Sequence, residues 1–348
     1  MEMGDFFAAR SANNVPWSGR RRGRVGGLAW AFAWRNPKEV PVTALETRRP
    51  IASRMTMLLN AFAMATPIPT TVEIAPGVNM PYINLGGVHS HPSNYSAWLE
   101  LGGVGLDSAL MYGDDVQVQV GSAAKASGIE RKKLFITSKV PCCPAPFTKW
   151  CTWMASEYPA KLAADMQAEI DIRLLGIEVV DLMLLHWPCA SFNDTMAAYR
   201  QLEDFQLKGK ARAIGISNFN ASAIDELYAA GLHVNPAVNQ CGFSIGNHDN
   251  TGYGRDFNTL KKCREKGITY SAYSPLGGLS GVDVLGNPIV KSVAAAHNKS
   301  TAQVALRWVT QQGVVAVTAS TKASHLKGDL DIFDFTLTDA EMATLTKI

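Results

Sequence analysis

Four polar residues close or follow runs of strand-like apolar residues, and their side chains are of types that together transfer a proton. Asp107 closes GGVGLD, Lys139 closes LFITSK and His186 closes VVDLMLLH, while Tyr112 follows Asp107 by five residues. A phenol is a sluggish acid near neutral pH because its ordinary pKa is about 10, and a neighbouring ammonium group lowers that pKa. We therefore predict a proton-transfer site in which Lys139 activates Tyr112.

The runs that carry these residues belong to a repeating pattern of strands and helices. Eight strand-like runs alternate with stretches whose apolar residues recur at helical spacing, and a short β-hairpin (VEI, APG, VNM) precedes them. This rhythm over roughly 260 residues predicts an α/β fold of the (β/α)8 TIM-barrel type, whose active site lies at the carboxyl ends of its strands. A doubly wound sheet is disfavoured because no GxGxxG turn follows the first strand.

The first 66 residues differ from the rest in charge. Nine Arg and one Lys face four acidic residues there, a net charge of +6, which leaves −3 for residues 67–348 of a chain whose total is +3. We expect residues 1–66 to be a basic extension, either disordered or a targeting segment, and residues 67–348 to be the barrel. The protein would then be cytoplasmic, or organellar if the extension is a transit peptide. An upstream stretch before a true start at Met55 or Met57 is a further alternative.

The composition argues against several kinds of partner. The chain is 47% apolar and 18% charged, which is typical of a globular protein, and its barrel segment is not basic, so we expect no nucleic-acid partner and no membrane partner. Six cysteines lie apart from any zinc-binding pattern, and we expect them to be reduced. His89 and His91 form an HSH sequence without a third ligand nearby, so we predict no metal site.

Six sequence segments resemble the aldo-keto reductase superfamily. They are LDSALMYGDD, FITSKV, DLMLLHWP, AIGISNF, VNQ and AYSPLG, and they occur in the order that the family shows. The resemblance implies a monomer that reduces an aldehyde or ketone to an alcohol, reversibly, with NADPH or NADH. Tyr112 would donate the proton, Asp107 would hold Lys139 charged, and His186 would bind the carbonyl oxygen of a small-molecule substrate.

The same resemblance implies which residues bind the cofactor. Ser217, Asn218 and Gln240 match positions that hydrogen-bond the nicotinamide carboxamide, and Tyr273 matches the aromatic residue that stacks on its ring. The loop that begins with Ser274 and includes Leu276 would close over the pyrophosphate, and Ser320 and Thr321 would lie at the 2′-phosphate of NADPH.

Departures from the family pattern concern cofactor preference and substrate. Ala319 and His325 stand where the family has a Lys and an Arg that bind the 2′-phosphate, although Lys322 or Lys327 could substitute, so NADPH is only slightly favoured over NADH. Three tryptophans near the site are candidates to line the substrate pocket: Trp150, Trp153 and Trp187.

Two other functions remain open from the sequence. One is a cofactor-binding regulatory or sensing barrel with little turnover, since some barrels of this type serve as regulatory partners. The other is an unrelated barrel enzyme, such as a metal-dependent isomerase or hydrolase, which would need a cluster of carboxylates and histidines at the strand ends.

Overall fold

A computed structural model describes residues 69–88, 91–142, 163–278 and 280–348. The predicted extension of residues 1–66 lies outside these ranges, so the domain boundary stays a prediction. Within the described residues, no helix has both the length and the apolar character needed to cross a membrane.

Twelve strands make up the sheets of the described residues. In chain order they are β1 (Thr71–Ala75), β2 (Val78–Pro81), β3 (Ile83–Gly86), β4 (Gly105–Asp107), β5 (Phe135–Val140), β6 (Val180–Leu185), β7 (Ala211–Ser217), β8 (Val238–Gly242), β9 (Asp249–Asn250), β10 (Arg255–Asp256), β11 (Thr269–Tyr273) and β12 (Val315–Thr318). Eight of them form a closed parallel barrel in the order β3, β4, β5, β6, β7, β8, β11, β12, which returns to β3. The predicted (β/α)8 TIM barrel is therefore confirmed, as is the amino-terminal β-hairpin, which β1 and β2 form.

Ten α-helices accompany the strands in the described residues. They span Tyr95–Glu100, Asp114–Ala126, Ala164–Leu175, Phe192–Leu207, Ala221–Ala229, Phe257–Lys266, Pro288–Ala296, Thr301–Thr310, Ala323–Leu330 and Asp339–Leu345. The helices Tyr95–Glu100, Pro288–Ala296 and Ala323–Leu330 are short, with six to nine residues each.

Local signals in the sequence explain where several helices begin and end. Ser191 and Asp256 accept hydrogen bonds from backbone N–H groups in the first turns of the helices that follow them. Gly176 and Gly267 end their helices with φ angles of 66° and 70°, a left-handed conformation that glycine adopts without strain. These signals set the lengths of the helices that lie between the barrel strands.

Two hydrophobic layers hold the barrel together. Strand residues such as Ile136 and Met183 pack outward against the helices. Leu182 and Val315 instead pack with Ile74 and Met80 of the hairpin, so the hairpin covers the amino-terminal end of the barrel. The hairpin does not cover the carboxyl ends of the strands, where the predicted site residues lie and where barrel enzymes have their active sites.

Candidate active site

Adjacent strands bring the four predicted catalytic residues to one end of the barrel. Asp107 is the last residue of β4, Lys139 lies next to the end of β5, and His186 directly follows β6. These three strands are consecutive in the barrel. Tyr112 lies at the end of a short 3-10 helix, Leu110–Tyr112, that turns the chain after β4 back toward Lys139.

The side chain of Lys139 is completely buried and has an acceptor for each of its three N–H donors. Its Nζ lies 2.5 Å from Asp107 Oδ1, 2.9 Å from the backbone carbonyl oxygen of Ser108 and 3.3 Å from the hydroxyl of Tyr112. A buried ammonium group is stable only when it is paired and hydrogen-bonded, so these contacts fix both its charge and its position. Burial alone would lower the pKa of Lys139, but attraction to Asp107 and Tyr112 raises it overall.

Burial and the neighbouring charges act in opposite directions on the pKa of Tyr112. Burial of the hydroxyl raises it, the ammonium group of Lys139 lowers it and Asp107 raises it, with a net increase over the ordinary value of 10. Lys139 therefore acts in the predicted direction, and desolvation, which the sequence does not reveal, outweighs it. Tyr112 stays protonated at neutral pH as a result, which a proton donor requires.

His186 is neutral at physiological pH. Its ring is 4% exposed, and burial together with the charge of Lys139 lowers the pKa of the imidazole well below its usual range. The ring of His186 meets the ring of Tyr112 edge-on, with centroids 5.6 Å apart, and its other face stacks on Trp187 at 3.9 Å. A neutral imidazole in this position offers one N–H donor beside the ring of Tyr112.

Three further neighbouring strands, β7, β8 and β11, place most of the predicted nicotinamide-binding residues beside this group. The hydroxyl of Ser217 donates to the backbone oxygen of Gln240 at 2.6 Å, and the hydroxyl of Tyr273 donates to Asn218 Oδ1 at 2.7 Å. The amide of Asn218 in turn donates to the backbone oxygen of His186 at 3.0 Å. One connected set of hydrogen bonds therefore joins this half of the rim to the catalytic half.

Gln240 links the two halves directly. Its Nε2 donates to Asp107 Oδ2 at 2.8 Å, although β8 lies across the barrel from β4. Asp107 thus uses one carboxylate oxygen for Lys139 and the other for Gln240. Since each partner fixes one oxygen, the orientation of this carboxylate depends on both halves of the barrel.

The remaining predicted cofactor residues lie on loops at the same rim. Ser274 has a φ angle of 53°, and its carbonyl oxygen accepts from Gly277 in the turn that contains Leu276. Ser320 receives a hydrogen bond on its Oγ from the backbone of Lys322, and this Oγ lies 3.4 Å from His325 Nδ1. Thr321 and Ala319 are exposed.

Two of the predicted pocket residues, Trp150 and Trp153, lie outside the described residues, as does His89 of the HSH sequence. Trp187 is described and stacks on His186. Among the described residues, no group of three or more His, Cys, Asp or Glu side chains is arranged to hold a metal ion.

One pair of cysteines differs from the expectation that all are reduced. Cys142 and Cys189 form a disulfide, with Cα atoms 4.9 Å apart, whereas Cys241 and Cys263 are free and buried. The expectation was wrong because it considered spacing along the chain, while neighbouring strands β5 and β6 bring these two residues together. The disulfide joins the segment after Lys139 to the segment after His186.

Sequence reasoning also missed Arg255. Its guanidinium group is 9% exposed and donates to the hydroxyl of Tyr273 at 2.9 Å, next to the Asn218 hydrogen bond. Arg255 lies in a segment, residues 247–256, that matches none of the six family-like segments, so no signal in the sequence indicated it. The Tyr273 hydroxyl therefore accepts from Arg255 and donates to Asn218, and the two contacts together fix its position.

Comparisons with known proteins agree with this geometry. The profile of the Aldo/keto reductase family matches residues 94–348. The chain belongs to this family. It is 34% identical over 291 residues to morphine 6-dehydrogenase of Pseudomonas putida, which covers 80% of this chain and 90% of that protein. It is 35% identical over 288 residues to glyoxal reductase of Bacillus subtilis, which covers 80% and 92%. An oxidoreductase is therefore supported.

Solved structures of aldo-keto reductases have the same barrel. An enzyme from Brucella melitensis superposes with a TM-score of 0.66 at 29% identity, covering 80% of this chain and 99% of that one. The Bombyx mori aldo-keto reductase in complex with NADP gives a TM-score of 0.66 at 25% identity, covering 81% and 93%. The resemblance that the six segments indicated is therefore correct for the family and for the fold.

We expect the disulfide to stabilise this aldo-keto reductase. Replacing both Cys142 and Cys189 by Ser should lower the free energy of unfolding by about 2–4 kcal/mol, because the bond closes a loop across a sequence separation of 47 residues. Thermal unfolding of wild type and of the double variant, each with and without a dithiol reductant, measures the effect. The reductant should lower the melting temperature of wild type only. If the reductant frees the two thiols and the melting temperature of wild type does not change, the disulfide does not stabilise the protein.

Proposed function

We propose that this aldo-keto reductase reduces an aldehyde or ketone to an alcohol, reversibly, with a nicotinamide cofactor and with Tyr112 as the proton donor. The observation that carries the proposal is the contact of the Tyr112 hydroxyl with the buried, charged amine of Lys139 at 3.3 Å. A reductase needs an acid next to the carbonyl oxygen, and a phenol held by an ammonium group supplies one.

The protonation states of the site residues suit this direction of proton transfer. The raised pKa of Tyr112 keeps its proton in place until the alkoxide forms, and Lys139 then stabilises the phenolate that remains. Asp107 keeps Lys139 charged throughout. In the reverse direction the phenolate would act as the base, so alcohol oxidation should increase with pH.

His186 would orient the carbonyl. Because its imidazole is neutral, it can donate one hydrogen bond to the carbonyl oxygen without competing with Tyr112 as the acid. Stacking on Trp187 and the edge contact with Tyr112 hold the ring in one orientation. Trp187 would therefore help to shape the substrate pocket through His186, as Trp150 and Trp153 would from their own segment.

The residues of the other half of the rim fit a nicotinamide ring. When bound, the cofactor supplies the hydride. Two side-chain amides and a hydroxyl, from Asn218, Gln240 and Ser217, are the donors and acceptors that a carboxamide needs, and they lie within one network beside the catalytic group. The ring of Tyr273, held by Asn218 and Arg255, offers a flat surface for stacking.

The preference between NADPH and NADH depends on the far end of the cofactor. Ser320 and Thr321 would receive the 2′-phosphate, with Ser274 and Leu276 over the pyrophosphate. Ala319 is exposed and uncharged, and His325, which contacts Ser320, stands where the family has an Arg. The 2′-phosphate site therefore has fewer fixed positive charges than in the family pattern. We propose NADPH as the cofactor, with NADH as a competent alternative.

The relatives do not restrict the substrate to one compound. One is named for morphine and another for glyoxal, which differ greatly in size. We propose a small-molecule carbonyl compound as the substrate and a monomer as the active form. Cytoplasmic or organellar location stays a prediction that depends on residues 1–66.

The acid role of Tyr112 can be tested by removing its hydroxyl. Tyr112→Phe should reduce the turnover of an activated aromatic aldehyde by roughly a thousandfold or more, since general acid catalysis contributes about 10²–10⁴-fold and the amine of Lys139 loses a partner. Cofactor affinity, measured by fluorescence, should change little.

Tyr228→Phe is the matched control, since Tyr228 lies on the outer helix Ala221–Ala229 and its hydroxyl donates to the backbone oxygen of Lys266. Equal turnover of Tyr112→Phe and wild type would exclude the acid role. Tight cofactor binding by wild type without turnover of any of a panel of aldehydes would favour a sensing barrel over an enzyme.

The placement of the 2′-phosphate can be tested at Ala319. Ala319→Lys should tighten NADPH binding relative to NADH by roughly threefold to tenfold, because a new cation would form a charge-assisted contact with the phosphate. Dissociation constants for both cofactors, with Ala319→Gln as an uncharged control, measure this ratio. The same NADPH-to-NADH ratio in the Lys and Gln variants would show that the phosphate lies elsewhere.

A further inference from the structure

A buried polar network lies behind the catalytic pair and is not used by the proposed reaction. The amide of Gln117, on the helix Asp114–Ala126, donates to Ser138 Oγ at 3.1 Å and to Asp171 Oδ1. Its carbonyl oxygen accepts from the hydroxyl of Ser108. One side-chain amide therefore bridges the residue after Asp107, the residue before Lys139 and a carboxyl group on a third element.

The two serines are placed to transmit any change in this network. Ser108 also supplies the backbone oxygen that accepts from Lys139 Nζ at 2.9 Å. Ser138 directly precedes Lys139 on β5. A rotation of the Gln117 amide would turn its carbonyl oxygen toward Asp171, and both serine hydroxyls would have to exchange their donor and acceptor roles to keep their contacts.

Asp171 determines which way this amide faces. It lies in the middle of the helix Ala164–Leu175 and is completely buried, as are Gln117, Ser108 and Ser138. A carboxylate only accepts hydrogen bonds, so the Gln117 amino group must point toward Asp171 and the carbonyl oxygen toward Ser108. A carboxyl group in a buried helix face carries a high cost of desolvation, and this position therefore calls for an explanation beyond packing.

The catalytic amine acts electrostatically on Asp171. The pKa of Asp171 is raised to about 7, because the effect of burial exceeds the lowering by the hydroxyl of Ser138, the charge of Lys139 and the amide of Gln117. Gln117 and Ser138 are uncharged, so Lys139 on β5 is the ionised group that acts on Asp171, and the same amine contacts Asp107 and Tyr112.

We propose that Asp171 is a positioning residue for the pair of Tyr112 and Lys139, an inference that rests on the proposed reductase function. Through Gln117 it holds the two serines in place, and its carboxylate adds a negative charge behind Lys139. Asp107 contacts the ammonium group directly, whereas Asp171 acts on it from the buried network, and together the two carboxylates make Tyr112 a weaker acid than Lys139 alone would.

The electrostatic link can be tested without any enzymatic activity. Because the charge on Lys139 lowers the pKa of Asp171, removal of that charge should raise it. In protein labelled with carbon-13 at its aspartate carboxyl groups, the NMR titration midpoint of Asp171, assigned by its loss in Asp171→Asn, should rise by about half a pH unit or more in Lys139→Met. Lys299→Met, which removes a lysine paired with Asp331 and Asp334 instead, should leave the midpoint unchanged.

An Asp171 midpoint that is equal in wild type and in Lys139→Met would overturn the proposal. Gln117→Met provides a second arm should Lys139→Met not fold. It removes a hydrogen bond that lowers the pKa of Asp171, so the Asp171 midpoint should rise here too. No change in this variant would show that the network does not act on Asp171, and would also overturn the proposal.

A pH profile connects the network to the reaction. Asp171→Asn keeps an oxygen that accepts from Gln117 but loses the charge, so the pKa of Tyr112 should fall. Alcohol oxidation requires the phenolate, and the rising limb of its kcat/KM should therefore move by about 0.3–0.5 pH unit toward lower pH. Asp204→Asn, at an exposed position, should not move it. If wild type is active and the two profiles coincide, Asp171 has no positioning role, whereas inactive wild type would instead contradict the proposed function.

Discussion

The structure depends on the burial of one positive charge. Lys139 has no exposed surface, and the removal of an ammonium group from water is tolerated only because Asp107, Ser108 and Tyr112 each accept one of its hydrogen bonds. The loss of one partner of such a pair typically costs about 3–5 kcal/mol. The same contacts that make this charge stable place a phenol next to it, so stability and the proposed chemistry have a common origin.

Closure of the barrel connects the partners of Lys139 to the residues on the opposite half of the rim. Gln240 reaches across the barrel to the second oxygen of Asp107, and Asn218 joins the backbone of His186 to Tyr273. Each half of the rim therefore orients a group of the other half. Because parallel strands end at the same level, residues far apart in the sequence meet there, as in barrel enzymes generally. The disulfide of Cys142 and Cys189 adds a covalent link between two of the segments that leave this rim.

The fold and the residues that meet at the strand ends could be predicted from the sequence, but the pKa values of those residues could not. The convergence of Asp107, Lys139 and His186 was predicted because each of them stands at the end of an apolar run that is typical of a buried strand. The lowering of the Tyr112 pKa by Lys139 was predicted, but the larger effect of desolvation was not, because it depends on packing that no local pattern records. Asp171 did leave a signal, an acidic residue within the apolar face formed by Ala164, Ala168, Ile172 and Leu175, whereas Arg255 left none.

The central claim is that Tyr112, held by Lys139, is the acid and that neutral His186 is not. The pH dependence of kcat/KM for aldehyde reduction, measured with saturating cofactor from about pH 5 to 10.5, tests it most directly. Because the pKa of Tyr112 is raised and that of His186 is lowered, we expect full activity through neutral pH and loss only in the alkaline range, as the phenol ionises. A tenfold loss per pH unit beginning near pH 6–7, the range in which an ordinary imidazolium loses its proton, would contradict the account.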